Sequence, residues 1–267
     1  VVPLKGLNRA LVVHGLKVIY KFLRPCFAAI AKKASFRSPI SAQALAFVFA
    51  PRINAAGRIG DAKLATKILT CDNLAEAETY AEELENMNDR RKKLEQEISF
   101  SAFEQVKTQH DTGQPILWAS GRKWHPGIIG IVAARIKDEF KKPTIVIAVS
   151  ENGVGTGSAR STPNLDIGSY FLRLKEKNLI ISGGGHSMAA GLKIEETNIE
   201  EAKAASINSL KSIEALLDNN FQINAILSTS AISVVDIEEL NLAGPFGAAS
   251  PPPIVAFPNC TITHSRL

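Results

Sequence analysis

The chain has 267 residues, 45% hydrophobic and 21% charged, a composition typical of a globular protein with one large domain or two smaller ones. Its net charge of +5 favours a polyanionic partner modestly, because basic side chains release counterions from phosphates. No uncharged apolar run approaches the ~18 to 20 residues that span a bilayer, and no signal-peptide pattern opens the chain. Three widely separated cysteines argue against a disulfide framework or a metal-thiolate site.

Residues 1–73 mix short apolar segments with turn residues. Their spacing predicts helices over Arg9–Leu23 and Lys63–Leu69, with Pro25 and Pro51 among the interruptions between them. No strand-rich unit is complete here, so we interpret the region as the end of a domain whose beginning is absent. The chain starts at Val1 rather than Met, and we expect a fragment or processed product of a cytoplasmic protein.

A long helix is predicted for residues 74–112, which contain neither glycine nor proline. Apolar side chains recur three or four residues apart, as on a helix with one packed face. Charged side chains occupy the other face, where Asp89 and Lys93 form a favourable i, i+4 pair. Gly113 and Pro115 end the helix, which favours a connection between two domains over a coiled-coil arm.

Residues 113–217 alternate strand-like and helix-like segments, which predicts an α/β domain. The predicted strands are Ile116–Ala119, Thr144–Val149, Val154–Arg160, Leu179–Ile181 and Leu192–Ile194. The predicted helices are Ile128–Phe140, a helix capped by Asp166 that runs to Lys177, and a helical turn over Ser187–Ala190. A last helix, capped by either Thr197 or Asn198, is predicted to end near Asp218. Residues 218–267 carry β-branched pairs and the strand-like Ile254–Phe257, which predicts the first strands of a truncated OB-type β-barrel.

The strongest local signal is the run Gly183, Gly184, Gly185 and His186. Three consecutive glycines allow the backbone to turn its N–H groups toward one point, and the helix predicted after them adds a positive dipole end. The pattern predicts a phosphate or carboxylate site to which His186 adds a donor. A tight strand-to-helix turn with a capping histidine is the alternative interpretation.

A second candidate is the strand segment that carries Ser158 and Arg160 among small residues. A guanidinium there can bind a phosphate through two parallel hydrogen bonds, whereas an ordinary surface arginine on a hairpin strand is the alternative. His125, just before a predicted helix, could face the same anion or simply pack beside Trp124.

A third candidate is the segment with Arg52, Asn54 and Arg58, where small neighbouring residues would let a ligand approach the backbone. No group of aspartates and histidines has metal-ligand spacing, and no Ser/His/Asp constellation or Walker loop is present. We therefore assign no catalytic residue and no metal ligand within the sequence.

Taken in order, these segments resemble the RecJ family within the DHH phosphoesterase superfamily. The matching segments are Val1–Leu4 with Asn8–Leu11 and Gly15–Leu16, Pro51–Arg58, Asn88 with Arg91, His125–Arg135, Gly157–Ser161, Gly183–Gly191 and Gly244–Gly247. The resemblance implies four parts: a partial DHH domain (1–73), a connecting helix (74–112), a DHH-associated α/β domain (113–217) and the start of a truncated OB-type barrel (218–267).

The resemblance also implies an activity, the 5′→3′ digestion of single-stranded DNA in repair and recombination with Mn²⁺ or Mg²⁺ as cofactor. The metal ligands would precede residue 1. Ser158 and Arg160 would contact the 5′-terminal phosphate region, and Gly183 to His186 a phosphate near the scissile bond. Single-stranded DNA is the expected partner, with a single-strand-binding protein and a helicase as further partners and no membrane.

By the same resemblance, Arg52, Asn54 and Arg58 would line the cleft. Two departures stand out: the Asp-His-His signature is absent, and Ala248–Pro251 replaces residues that are glycine and asparagine in the family. Two other functions stay open, a phosphodiesterase for short oligonucleotides and a non-catalytic single-strand-binding or scaffolding protein. An intact upstream Asp-His-His cluster would favour the enzyme, and a degenerate one the scaffold.

Overall fold

The computed structural model describes residues 2–21, 24–210, 222–261 and 263–264. The chain divides into two compact units. Unit 1 comprises Val1–Ile53, Thr66–Glu83 and Asn219–Leu267, and unit 2 comprises Asn54–Ala65 and Leu84–Asp218. Within the described ranges, no helix is both long enough and apolar enough to cross a membrane.

The first third of the chain is helical. Its helices are α1 (Gly6–Tyr20), α2 (Pro25–Lys33), α3 (Ala42–Ala44), α4 (Ala50–Ile59) and α5 (Lys63–Thr70), with a π-helical segment, Leu45–Phe49, between α3 and α4. Helix α1 starts three residues before the predicted Arg9, and the predicted end at Leu23 lies outside the described residues. Helix α2 was not predicted. Its first turn contains Pro25, and proline is favoured there because the N–H groups of the first turn have no partner within the helix.

Pro51 does not interrupt the chain as predicted but lies inside α4. A proline cannot donate to the carbonyl four residues earlier, and its ring crowds that carbonyl. The wider π-helical turn, Leu45–Phe49, directly precedes this point and relieves the crowding. Phe49, at the end of that turn, is buried between the rings of Phe27 and Phe36, at centroid distances of 5.8 and 5.9 Å.

The last part of unit 1 contains two-residue strands and a helix. Strands β6 (Ala225–Ile226) and β7 (Val255–Ala256) pair in parallel, and α10 (Val234–Leu242) lies between them in sequence. Helix α10 was not predicted, although Ser233 and Asp236 form a capping box at its start. The start of an OB-type barrel is therefore not confirmed by the described residues.

Unit 2 is built around a five-stranded sheet. The long α6 (Leu74–Asp111) confirms the predicted helix within one residue and leads into β1 (Leu117–Arg122), α7 (Ile129–Phe140), β2 (Thr144–Val149), β3 (Val154–Arg160), α8 (Ile167–Glu176), β4 (Ser182–Gly185), β5 (Ala189–Glu195) and α9 (Ile199–Leu210). The strand order is β1-β2-β3-β5-β4. Strands β1 and β2 are parallel, and the remaining neighbours are antiparallel.

Each face of the sheet has its own core. On one face, Leu117, Ala119, Val146 and Ala148 pack with α7 and with the second half of α6. On the other face, alternate residues of the strands, such as Ile145 and Leu192, pack with α8 and α9. This alternation is the period of two that a pleated strand imposes.

The glycine run forms a strand where a strand-to-helix turn was predicted. Gly183–Gly185 belong to β4, which pairs with β5 along Ser182–Lys193 to Gly185–Ala190, and the N–H of His186 donates to the carbonyl of Ala189 at 2.9 Å. The predicted strand Leu179–Ile181 and the helical turn Ser187–Ala190 were therefore wrong. Leu179 and Ile180 are buried core residues between α8 and β4, so their apolar character reflects burial outside a strand. Helix α9 is described to Leu210, and its predicted end at Asp218 lies outside the described residues.

Candidate anion-binding site

Three segments of unit 2 meet beside the first turn of α7: the end of α4, the loop between β1 and α7, and strand β3. Arg58, exposed on the last turn of α4, donates through Nη1 to the carbonyl of Gly127 at 3.2 Å. A Cβ at Gly127 would lie 2.1 Å from the carbonyl oxygen of Arg58, so only glycine permits this backbone contact. The contact fixes the loop that leads into α7.

The first turn of α7 carries no side-chain cap. The ring Nδ1 of His125 accepts from the N–H of Gly127 at 3.1 Å, and the carbonyl of His125 accepts from the N–H of Ile128 at 2.9 Å. The N–H groups of Ile129 and Gly130 have no acceptor among the described residues, as expected at a helix start. Such free N–H groups, with the positive end of the helix dipole, attract an anion.

Ser158 and Arg160 lie on β3 next to this helix start. Arg160 donates through Nη1 to the hydroxyl of Ser158 at 3.1 Å and to the carbonyl of Ala159 at 2.8 Å. A Cβ at Gly130 would lie 3.0 Å from Ser158 Oγ and 3.2 Å from Arg160 Nη2. The helix start, the hydroxyl and the guanidinium therefore converge within contact distance.

The site is electrically positive. Burial lowers the pKa of the partly buried Arg160 guanidinium, and the positive charge of Arg58 lowers that pKa further. The Arg160 guanidinium nevertheless keeps its positive charge at neutral pH, because arginine does not lose its proton in proteins. Neither arginine forms an ion pair with a carboxylate in the part of the chain that the structure describes. Two neighbouring cations and a free helix start favour a bound anion.

The structure thus brings together four of the residues that the sequence analysis singled out: Arg58, His125, Ser158 and Arg160. Asn54 is exposed on α4 one turn before Arg58, at the i, i+4 spacing that places two residues on one helix face. Arg52 belongs to unit 1, where its Nη1 donates to the carbonyl of Val48 at 2.7 Å. Roles in ligand binding for Arg52 and Asn54 remain predictions.

The glycine run lies on the same sheet as this site. Directly paired residues share a face, and Ser158 pairs with Gly191, which pairs with Gly184. Two strand spacings separate Gly184 from Ser158, about 10 Å. Gly183 and Gly185 point to the opposite face, and the exposed His186 lies in the turn between β4 and β5. The glycine run was predicted to bind an anion through backbone N–H groups at the start of a helix, and it does not form that arrangement. A role for Gly183 to His186 in phosphate binding remains a prediction.

Gly130 and Gly127 are the site residues that sequence reasoning did not single out. Their signal was the Pro126-Gly127 pair directly before a helix and a glycine in that helix's first turn. A glycine inside a helix lowers helix stability, so its presence indicates close approach by another group. Among the described residues, no group of three or more His, Cys, Asp or Glu side chains could hold a metal ion. The described residues therefore do not fit a divalent-metal centre.

Comparison with known proteins identifies the domain around this site. The sequence model of the DHHA1 domain matches residues 113–212, which include β1 to β5, α7, α8 and α9. The single-stranded-DNA-specific exonuclease RecJ of Salmonella typhimurium is 35% identical over 264 residues, which cover 95% of this chain and 46% of that protein. RecJ of Escherichia coli is 32% identical over 263 residues, with the same coverages. The chain thus spans a little under half the length of these curated relatives.

Solved structures give the same result. The crystal structure of RecJ from Thermus thermophilus in complex with Mg²⁺ superposes with a TM-score of 0.79 at 31% identity. The match covers 95% of this chain and 39% of that one. The crystal structure of RecJ from the same organism in complex with Mn²⁺ matches with a TM-score of 0.76 at 30% identity, over 95% of this chain and 37% of that one.

Proposed function

Because the chain belongs to the RecJ family, we propose that it is the strand-binding part of a single-stranded-DNA-specific exonuclease. In this proposal the site at the start of α7 binds a phosphate at the 5′ end of the strand. The full enzyme would act 5′→3′ in DNA repair and recombination, with divalent metals held by residues other than those described here. A cytoplasmic location, a single-strand-binding protein and a helicase as partners remain predictions from the resemblance.

The observation that carries the proposal is the convergence of Arg58, Arg160 and the uncapped start of α7, where no carboxylate among the described residues pairs with either arginine. A phosphate ester has the charge and the acceptor oxygens that these donors require. Ser158 is held beside Arg160 at 3.1 Å and adds a hydroxyl to the same group. A carboxylate ligand would offer fewer acceptors to donors that approach from a helix start, a hydroxyl and two arginines.

The remaining candidates have a place in this proposal. Asn54 lies one helical turn from Arg58 and extends the polar edge of the site along α4. Gly183 to His186 lie two β-strands away from Ser158. They would contact the DNA backbone at a nucleotide further from its 5′ end. A role for Arg52 in binding the DNA remains a prediction from the family resemblance.

The experiment is a binding measurement with the 267-residue chain. Fluorescence anisotropy compares a 5′-phosphorylated single strand with its 5′-hydroxyl counterpart at low salt. We expect Arg160→Ala to weaken binding of the phosphorylated strand by about 1.5 to 3 kcal/mol, roughly ten- to a hundredfold, the range for hydrogen bonds to charged groups. Arg173→Ala is the matched control, because Arg173 lies on α8 against the other face of the sheet.

Three outcomes decide the proposal. Loss of affinity in Arg160→Ala and Arg58→Ala but not in Arg173→Ala supports a phosphate site at α7. Equal losses in all three variants would mean that general positive charge, and not this site, binds the strand. Hydrolysis by the pure chain with Mn²⁺ would contradict the assignment of the metal ligands to residues outside the described part.

A further inference from the structure

Half of one face of the sheet in unit 2 is uncovered. Helix α7 packs over β2 and over the end of β3 that carries Ser158 and Arg160, whereas the residues of β5 and β4 that point to this face are exposed or partly exposed. Between Arg160 and Lys193, the residues that point to this face are small, hydroxylated or basic, among them Thr156, Ser158, Arg160, Ser182, Gly184, Gly191 and Lys193. The anion site lies at the edge of this open face, where α7 begins.

Lys193 is the second basic residue of the open face. It pairs across the sheet with Thr156 on β3 and with Ser182 on β4, so two hydroxyl side chains flank its ammonium stem. Ser158 is one strand away and two residues along. A strand spacing of ~5 Å and a two-residue rise of ~7 Å place the Cα atoms of Ser158 and Lys193 about 8 to 9 Å apart.

The surface between the two basic residues has no side chains that obstruct an approaching chain. A Cβ at Gly184 would meet no atom within 4 Å, and a Cβ at Gly191 would meet only the carbonyl of Gly157 at 3.7 Å. Neither glycine is therefore required by packing within the domain. Because these two glycines have no side chains, a polynucleotide backbone can approach the sheet closely at this point.

The surface from Arg160 to Lys193 is positively charged. Lys193 is exposed and forms no ion pair with any residue that the structure describes. No acidic residue lies on β3, β5 or β4 between Arg160 and Lys193. Glu195, two residues beyond Lys193 on the same face, is the first carboxylate and would repel a phosphate there. The positive strip therefore ends at Lys193.

We propose that Lys193, with the hydroxyls of Thr156 and Ser182, binds a second phosphate of the strand whose 5′ phosphate occupies the site at Arg160. This inference rests on the proposed function. The strand would cross β5 over Gly191, with its phosphates toward the sheet. The three strands carry no aromatic side chain on this face for a base to stack on, so the contacts are independent of sequence.

The test uses the salt dependence of binding, which reports the number of phosphates neutralised. Each phosphate contact on a single strand contributes about 0.7 to the slope of log affinity against log salt. We expect Lys193→Gln to lower that slope by about 0.7 for a 5′-phosphorylated oligothymidylate and to leave the affinity for a 5′-mononucleotide unchanged. Lys175→Gln on α8, against the opposite face, is the matched control and should leave the slope unchanged.

A second variant tests the path of the strand. Gly184→Leu adds a side chain to the open face, where the structure has space for it, so the fold should persist by circular dichroism and thermal unfolding. We expect severalfold weaker binding of the oligothymidylate, with Gly184→Ala in between. An unchanged slope in Lys193→Gln would overturn the inference while the site at Arg160 stands. Absence of binding by the wild-type chain would instead refute the proposed function.

Discussion

Replacing Gly130 by alanine should separate the stability of unit 2 from its affinity for phosphate. Gly130 is in the first turn of α7, where alanine is the better helix former by about 0.5 to 1 kcal/mol. The added methyl group would lie 3.0 Å from Ser158 Oγ and 3.2 Å from Arg160 Nη2, tighter than an ordinary contact. The far end of the Arg160 side chain can move by the few tenths of an ångström required, so the fold should tolerate the change.

The same displacement acts directly on the anion site. The shift would weaken the bond between Arg160 and Ser158, and the new methyl group would lie against the two side chains that bind the anion. We expect phosphate affinity to fall by about 1.5 to 3 kcal/mol, the value of a hydrogen bond to a charged group, or roughly ten- to a hundredfold. Urea unfolding should show stability equal to the wild type or higher by up to about 1 kcal/mol.

Affinity and stability therefore have to respond differently to this substitution. Anisotropy with a 5′-phosphorylated strand gives the affinity, and urea unfolding gives the stability of the same preparation. Unchanged affinity together with a clear loss of stability would refute the reasoning, because it would place Gly130 in a packing role only. Gly127→Ala is a useful comparison, since its methyl group would meet the backbone carbonyl of Arg58 at 2.1 Å and both quantities should fall.

Three further outcomes follow from the structure. Glu95→Ala should lower stability by about 3 to 5 kcal/mol in urea unfolding, because its buried carboxylate pairs with two arginines, at 2.7 and 2.6 Å. Asp166→Ala should lower the melting temperature at neutral pH, because hydrogen bonds at the start of α8 stabilise the Asp166 carboxylate and lower its pKa in the folded state. The difference in melting temperature between wild type and variant should therefore shrink as the pH falls below about 3.8. Cys260 should react with a thiol reagent at once in the native chain, whereas the buried Cys26 and Cys71 should react on unfolding; burial also raises the pKa of Cys26.

The elements predicted best from sequence are those whose signal is local. The long α6 follows from an unbroken apolar period without glycine or proline, and the α8 start follows from Asp166, whose carboxylate accepts from the N–H of Ser169 at 3.0 Å. Strands β2 and β3 follow from β-branched residues and from the Asn152-Gly153 turn between them. In each case neighbouring residues alone determine the conformation.

The errors occurred where distant parts of the chain determine the conformation. The glycine run has little conformational preference of its own, and pairing with β5 makes it an edge strand. Pro51 lies in a helix because a π-helical turn precedes it, which no local pattern indicates. For the site, residue types identified Arg58, Ser158 and Arg160 separately. Only the contact of Gly130 with β3 shows that they meet at a helix start.

The arrangement of the two arginines explains why the site is prepared for an anion before one arrives. Burial lowers the pKa of Arg160, and the nearby positive charge of Arg58 lowers that pKa further, because two like charges repel each other in the free protein. The contacts that hold them, Arg58 to the carbonyl of Gly127 and Arg160 to Ser158, are made by the protein itself. A phosphate therefore meets donors that are already placed and relieves a repulsion, so little of the binding energy goes into ordering side chains. A lysine at position 160 would keep the charge but not the planar guanidinium, whose Nη1 bonds to Ser158 and the backbone while its Nη2 lies beside Gly130, and should not restore the affinity.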